Sequence, residues 1–343
     1  RFDADQRPTE GPFVGRDYRT LGPDGAVELG TCARNAYQVL RYARIAGDWE
    51  AYQQMRSTLL LMESFEIPRA AQVWEVPVHT PDLLAAADAV DAYLEAYAIS
   101  GDPRWLNDAV QWAERGLPFI YLWSDDEKPY LVGASIPVFG ATWHQGSWFG
   151  RPVQWNGLRY ADAIRKLAEH DQRYPWAQLA EVILRSAILQ QDRSGENLAL
   201  WPDSISAIDG EKSAWVFAPN QIITSVLKTI GRDPEPRTVQ AGVGPRRIHV
   251  TAAAKISTAV HRGAVLAAEL EYPPGEQGVV LISNISRPDV VLLDENPIRE
   301  RIEVERGVEP GWRYDAGNAY LAVRVPKSGR TKLRVEGGVY REV

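Results

Sequence analysis

The sequence predicts a mainly α chain with a trailing β-domain: an irregular segment over 1–30, helical hairpins over 31–236, and an antiparallel β-sandwich over 237–343. Two observations carry this reading. A helical segment, a turn around an aspartate, a tryptophan and a second helical segment recur three times, and repetition of that kind marks a serial architecture. From about residue 237 the period changes to short segments rich in β-branched residues, punctuated by glycine, proline and asparagine.

The first hairpin turns at AGDWEAY (46–52), after Ala36, Val39, Leu40 and Ala43 at helical spacing. The second turns at SGDPRWLNDA (100–109), after Leu83, Ala87, Val90, Leu94 and Tyr97. There Asp102 supplies a side-chain acceptor and Pro103 a preset φ, the pair expected at a helix start. The third turns at HDQRYPWAQLA (170–180), after Tyr160, Ile164 and Leu167, and a last helical stretch over 219–230 ends in GRDPEP and closes the series. In the β-region, RRIHVTA, AVLAAELEY, GVVLISNIS, DVVLLDE, AYLAVRV and TKLRVEGG read as strands of a sandwich, with His249 and His261 as structural strand residues.

Composition narrows the function classes. With 45% hydrophobic and 24% charged residues, the 343-residue chain is an ordinary globular one, and its most apolar stretch, 83–99, is broken by Asp88, Asp91 and Glu95. The net charge is -7, yet residues 237–343 hold 16 Lys and Arg against 13 Asp and Glu, so the excess of acid lies in residues 1–236. An acidic surface without basic clusters disfavours nucleic acid and anionic membranes as partners. Cys32 is the single cysteine and reads as a small buried hydrophobe. Position 1 is arginine and no signal segment follows, so an upstream portion is expected to have been removed, and a periplasmic or secreted compartment is slightly favoured over the cytoplasm.

In an array of hairpins the Asp-containing turns share one end, so the connections between hairpins gather at the other. Those connections are long, about 66–79, 118–156 and 192–217, and loops of that length are usually functional. Seven of the twelve tryptophans lie in them: Trp74, Trp123, Trp143, Trp148, Trp155, Trp201 and Trp215. An indole offers a flat apolar face and one N–H, which suits the apolar face of a pyranose, while Asp, Glu, Asn, Gln, Arg and His meet its hydroxyls. The stretch ATWHQGSWFGRPVQWNG (141–157) interleaves Trp143, Trp148 and Trp155 with His144, Gln145, Arg151, Gln154 and Asn156.

Helical hairpins in series followed by a β-sandwich resemble the α/α-toroid carbohydrate enzymes, the six-hairpin glycosidases and the related polysaccharide lyases. The resemblance is architectural and rests on no diagnostic motif. It implies an oligo- or polysaccharide substrate in a cleft where the long connections meet. About seven helices are read here, fewer than such toroids carry, so an incomplete toroid is expected, or one that an upstream segment or a second subunit completes.

Within WEVPVHTPD (74–82), Thr80, Pro81 and Asp82 form a helix-start signature, which explains Asp82 without function. Glu75 has no such explanation, and burial beside Trp74 favours the protonated carboxyl group that a general acid needs. WPDSIS (201–206) places Asp203 beside Trp201 on another connection, and glycoside hydrolysis requires two carboxyl groups in complementary roles. Glu75 with Asp203 is therefore the preferred catalytic pair, with His79 and His144 as further catalytic candidates. Trp74, Trp143, Trp148, Arg151, Gln154, Trp155, Asn156 and Trp201 are the substrate-binding candidates. The run WSDDEK (123–128) reads as a solvated turn.

The alternatives are a polysaccharide lyase using His144, His79, Tyr130 or Tyr160 as base with Arg151, Gln154 or Asn156 on the sugar carboxylate, and a non-catalytic glycan-binding protein. The three connections hold only Arg69, Lys128, Arg151, Arg193 and Lys212 as cations, which argues mildly against a polyanionic substrate. No phosphate loop, zinc ligand set, nucleophile elbow or dinucleotide fingerprint occurs, so no organic cofactor is expected, and nothing in the spacing supports a structural calcium ion among the loop carboxylates.

Overall fold

A computed structural model describes the whole chain except residues 10–12, 143–145, 234, 244–245 and 342–343. The described residues form seven α-helices followed by two five-stranded antiparallel sheets. Two compact units result: Arg1–Leu40 with Tyr52–Val226, and Arg41–Ala51 with Leu227–Val343. Among the described residues no helix is long and apolar enough to cross a membrane.

The helices are α1 (Leu29–Ala46), α2 (Trp49–Met62), α3 (Leu83–Ser100), α4 (Pro103–Gly116), α5 (Gln154–Leu167), α6 (Trp176–Gln190) and α7 (Asn220–Thr229). Short turns join α1 to α2, α3 to α4 and α5 to α6, as the repeat requires. Asp48 caps α2 by accepting from the Ala51 N–H at 2.8 Å, and Asp102 caps α4 by accepting from the Arg104 N–H at 3.0 Å. Gly101 ends α3 in the left-handed region at φ 71°, where a residue with a Cβ would be strained. The third turn differs, because Asp171 does not cap α6 and instead accepts from the indole N–H of Trp176 at 2.7 Å.

α3 is buried nearly all round, and alanine at 85, 86, 87, 89, 92 and 96 lets its neighbours approach closely. That burial takes in Asp88 and Asp91, whose charges must be answered in so dry a place. Arg159 of α5 answers both, with N···O distances of 3.0 and 3.2 Å, and Lys166 reaches Asp91 at 3.2 Å. This ion network fixes the register of α5 against α3.

The connections between hairpins run from the end of α2 to α3, from α4 to α5 and from α6 to α7. Two small ladders stiffen them: β1 (Ala141–Thr142) with β2 (Gly146–Ser147), and β3 (Trp201–Pro202) with β4 (Val216–Phe217).

Among the described residues the second unit holds ten strands: β5 (Arg237–Val243), β6 (Arg246–Ala252), β7 (Lys255–Arg262), β8 (Val265–Tyr272), β9 (Gly278–Ser283), β10 (Val290–Leu293), β11 (Asn296–Ile298), β12 (Gly311–Asp315), β13 (Tyr320–Val325) and β14 (Gly329–Glu336). One sheet has the order β11-β10-β14-β8-β7 and the other β12-β13-β9-β6-β5. Thr331, Leu333 and Val335 alternate inward on β14, facing Leu270, Ala268 and Leu266 on β8 across the register. Leu266, Leu270 and Leu333 from this sheet share one core with Val250, Ile282, Leu321 and Val323 from the other. Each such side chain contributes roughly 1.5–3 kcal/mol by leaving water.

His249 and His261 serve the structure: His249 Nδ1 lies 2.6 Å from the Arg44 carbonyl oxygen and His261 Nε2 lies 3.1 Å from that of Gly338. Burial holds His249 below the usual imidazole range.

Candidate functional site

The first unit contains a cleft of about 360 Å³, within the range of small-ligand sites. Its walls come from all three long connections and the first turn of α5.

The wall that carries Glu75 is held in place at several points. Gly30, in the first turn of α1, donates its N–H to the Arg69 carbonyl at 2.8 Å, and the approach is so close that a Cβ there would meet Ala71 N at 2.3 Å. Ala70 follows in the left-handed region at φ 65°. Asp82, fully buried, accepts from the Ala85 N–H at 2.7 Å as the cap of α3 and from the Ala71 N–H at 2.8 Å with its other oxygen. Burial raises Asp82 to about 7, against those hydrogen bonds. Glu75 and Val76 then donate their N–H groups to the Gln72 carbonyl, so Trp74 and Glu75 sit on a tight turn above this anchor.

Trp148 arrives from the second connection. Its ring is buried against Val76, Val138 and Val153, and its indole N–H donates to Glu75 Oε1 at 2.9 Å. Trp155, in the first turn of α5, stacks on Trp74 with ring centroids 6.4 Å apart and planes at 29°. The third connection supplies Asp203, directly after β3, whose N–H donates to the Trp215 carbonyl at 2.8 Å. Trp215 and Phe217 border the cleft with about half and two fifths of their surfaces exposed, and Phe13 joins them from the N-terminal segment.

Glu75 and Asp203 are thus brought to one apolar recess among four indoles, from connections far apart in the chain. No Lys or Arg occurs among the described lining residues. Arg16, held below its usual range by burial, feels the Glu75 charge without lining the recess. Among the described residues no group of three or more His, Cys, Asp or Glu is arranged to hold a metal ion.

Several of the residues expected at the site lie elsewhere, and the structure corrects those expectations. Gln154 and Asn156 are fully buried in the first turn of α5, a helix that starts earlier than expected because Val153 offers no side-chain cap to signal it. The Gln154 carboxamide donates to the Gly133 and Ile183 carbonyls at 2.8 and 2.9 Å and accepts from the Ser135 N–H at 3.0 Å, which fastens the second connection to α5 and α6. Asn156 donates to Gln72 Oε1 at 3.4 Å, behind the cleft wall. Trp201 is a core residue packed with Leu158, Leu184, Ala187 and Ile222, its N–H given to the Ala218 carbonyl at 3.1 Å. His79 has a 70% exposed side chain 3.6 Å from Glu28 and does not line the cleft. Arg151 reaches Ser204 at 3.3 Å and Glu211 at 3.9 Å, also outside the lining. Trp143 and His144 lie outside the described residues.

Sequence reasoning missed Gln72, Phe13 and Phe217 as lining residues. Gln72 lies inside the 66–79 connection already singled out, but a lone glutamine gave no reason to select it. The WSDDEK run is an exposed turn in which Asp125 accepts from the Lys128 N–H at 2.7 Å.

No family model and no curated protein matches the chain. Among solved structures it is similar to an α-mannanase from Bacteroides thetaiotaomicron, at 13% identity over 58% of this chain and 56% of that chain, with a TM-score of 0.42. It is similar to a D-mannose isomerase at 12% identity over 61% of this chain and 54% of that chain, with a TM-score of 0.45. An unsaturated glucuronyl hydrolase from a Bacillus species matches at 12% identity over 61% of each chain, with a TM-score of 0.42. The chain spans between about half and three fifths of the lengths of these structures.

Proposed function

We propose that the chain is a glycoside hydrolase acting on a neutral glycan, with Glu75 and Asp203 as its carboxyl pair. The observation that supports this is their placement, from two separate connections, in one tryptophan-walled cleft without a lining cation among the described residues. Stacked indoles suit the apolar faces of a pyranose, and a pair of carboxyl groups meets the requirement for one proton donor and one carboxylate across the scissile bond. The indole N–H of Trp148 donates to Oε1 of Glu75 at 2.9 Å, which restrains the carboxylate at the cleft wall.

A lyase fits less well. It needs a base poised to take a proton beside a sugar carboxylate. Tyr160 is fully buried with its hydroxyl donated to the Ala113 carbonyl, and burial raises it far above the usual phenol range. Tyr130 donates to the Ser206 carbonyl at 2.8 Å and is likewise raised by burial.

The test is incubation of the protein with neutral and uronic-acid oligosaccharides, followed in parallel for new reducing ends and for the ultraviolet absorbance of an unsaturated product. Reducing ends from neutral oligosaccharides without that absorbance are expected. An unsaturated product would replace hydrolysis by elimination, and silence in both channels would favour a binding protein.

A further inference from the structure

A second recess, of about 400 Å³, lies wholly within the β-containing unit, between the tip of the first hairpin and strands β9 and β13. Its walls include the rings of Tyr42, Trp49 and Tyr320 and the polar groups of Asp48, Glu50 and Asn318. The first hairpin's tip is fastened to the sheet on which it rests. The Ser283 hydroxyl donates to the Ile45 carbonyl at 3.0 Å, and Asn284 Nδ2 donates to that of Gly47 at 2.8 Å. A Cβ on Gly47 would meet Asn284 Nδ2 at 2.4 Å, so the two pieces fit without slack. The recess is therefore preformed rather than a gap between loose segments.

We propose that this recess is a second saccharide-binding site, independent of the cleft in the helical unit. Its chemistry repeats that of the cleft: aromatic faces for the C–H faces of a sugar, carboxylates and an amide for its hydroxyls, and no Lys or Arg among the described lining residues to attract an anion. Part of the polar lining has structural work. One oxygen of Asp48 caps α2, and the Asn318 amide N–H donates to Asp315 at 3.0 Å. The aromatic faces are accordingly the principal contacts, and Tyr42, with 58% of its surface exposed, is the ring a sugar reaches most readily.

The experiment is calorimetric titration of the full chain with maltotetraose, cellotetraose and mannotetraose, using the Glu75→Gln/Asp203→Asn protein to prevent turnover. Tyr42→Ala and, separately, Glu50→Gln change exposed side chains, and an unchanged melting temperature verifies the fold. The expected result is a saccharide-binding event, separate from any binding in the cleft, that Tyr42→Ala removes from the isotherm and Glu50→Gln weakens severalfold, whether or not the unsubstituted chain hydrolyses anything. An isotherm for each of the three that Tyr42→Ala leaves unchanged, or no binding of any of the three, would overturn the assignment. Failure of the hydrolase reading would appear instead in the product assay, where Tyr42 has no part.

Discussion

The connection between α2 and α3 carries Glu75 near its middle and Asp82 at its end, and the two regions use a carboxylate in opposite ways. Asp82 is fully buried with both oxygens holding backbone N–H groups, so it ties the connection to α3. Glu75 has one oxygen held by Trp148 and lines the cleft. The comparison teaches that position in a loop does not decide a carboxylate's role; what decides it is how many of its lone pairs the backbone already occupies. One group makes the wall rigid so that the other can be placed.

The comparison is broken most severely at Asp82. Asp82→Ala orphans two buried N–H groups and should cost about 2–4 kcal/mol of stability, measured by denaturant unfolding. A loss below ~0.5 kcal/mol would mean that the anchor is not one. Titration of the same group gives a second readout. Its folded-state pKa is raised to about 7, above the ordinary carboxylate value, so its contribution to stability is fully present below about pH 4 and is lost as the pH rises through 7. The unsubstituted chain should therefore lose more stability between pH 5 and 8 than Asp82→Asn does, and equal slopes would refute the assignment of that proton to Asp82.

Gly30→Ala attacks the same anchor from the other side. A Cβ there meets backbone atoms of Ala70 and Ala71 between 2.3 and 2.6 Å, so the wall must shift, at roughly 1–3 kcal/mol. Under the proposed reading hydrolysis should fall along with stability, and a variant with normal melting and normal kcat/KM would show that the wall tolerates displacement.

The smallest effect sharpens the comparison at Glu75. Trp148→Phe keeps a ring against Val76, Val138 and Val153 but removes the donor to Glu75. A loss of about 1 kcal/mol, near fivefold in kcat with KM little changed, is expected. In the Glu75→Gln background the same substitution should add almost nothing, because the two residues act as one unit.

Much of this fold was legible because its signals are local. Asp48 and Asp102 cap helices where glycine-aspartate turns announced them, and β8 and β14 alternate as a strand with one buried face must. The third turn looked alike in sequence, yet Asp171 serves an indole instead of a helix end. The cleft was legible only in part. Trp74, Trp148, Trp155, Glu75 and Asp203 converge because the hairpin repeat gathers the connections at one end. Gln154, Asn156 and Trp201 are buried although polarity and loop position suggest a surface, because Gln154 and Trp201 donate to the backbone carbonyls of Gly133 and Ala218 and Asn156 donates to the Gln72 side chain. No sequence pattern announces those partners.

The most direct measurement of the central claim is turnover and affinity together for Glu75→Gln and Asp203→Asn on whichever neutral oligosaccharide the unsubstituted chain cleaves. Each substitution is expected to lower kcat by about 10²-fold or more while the oligosaccharide still binds and the melting temperature holds. Turnover that survives both substitutions would contradict the claim and place the chemistry outside this cleft.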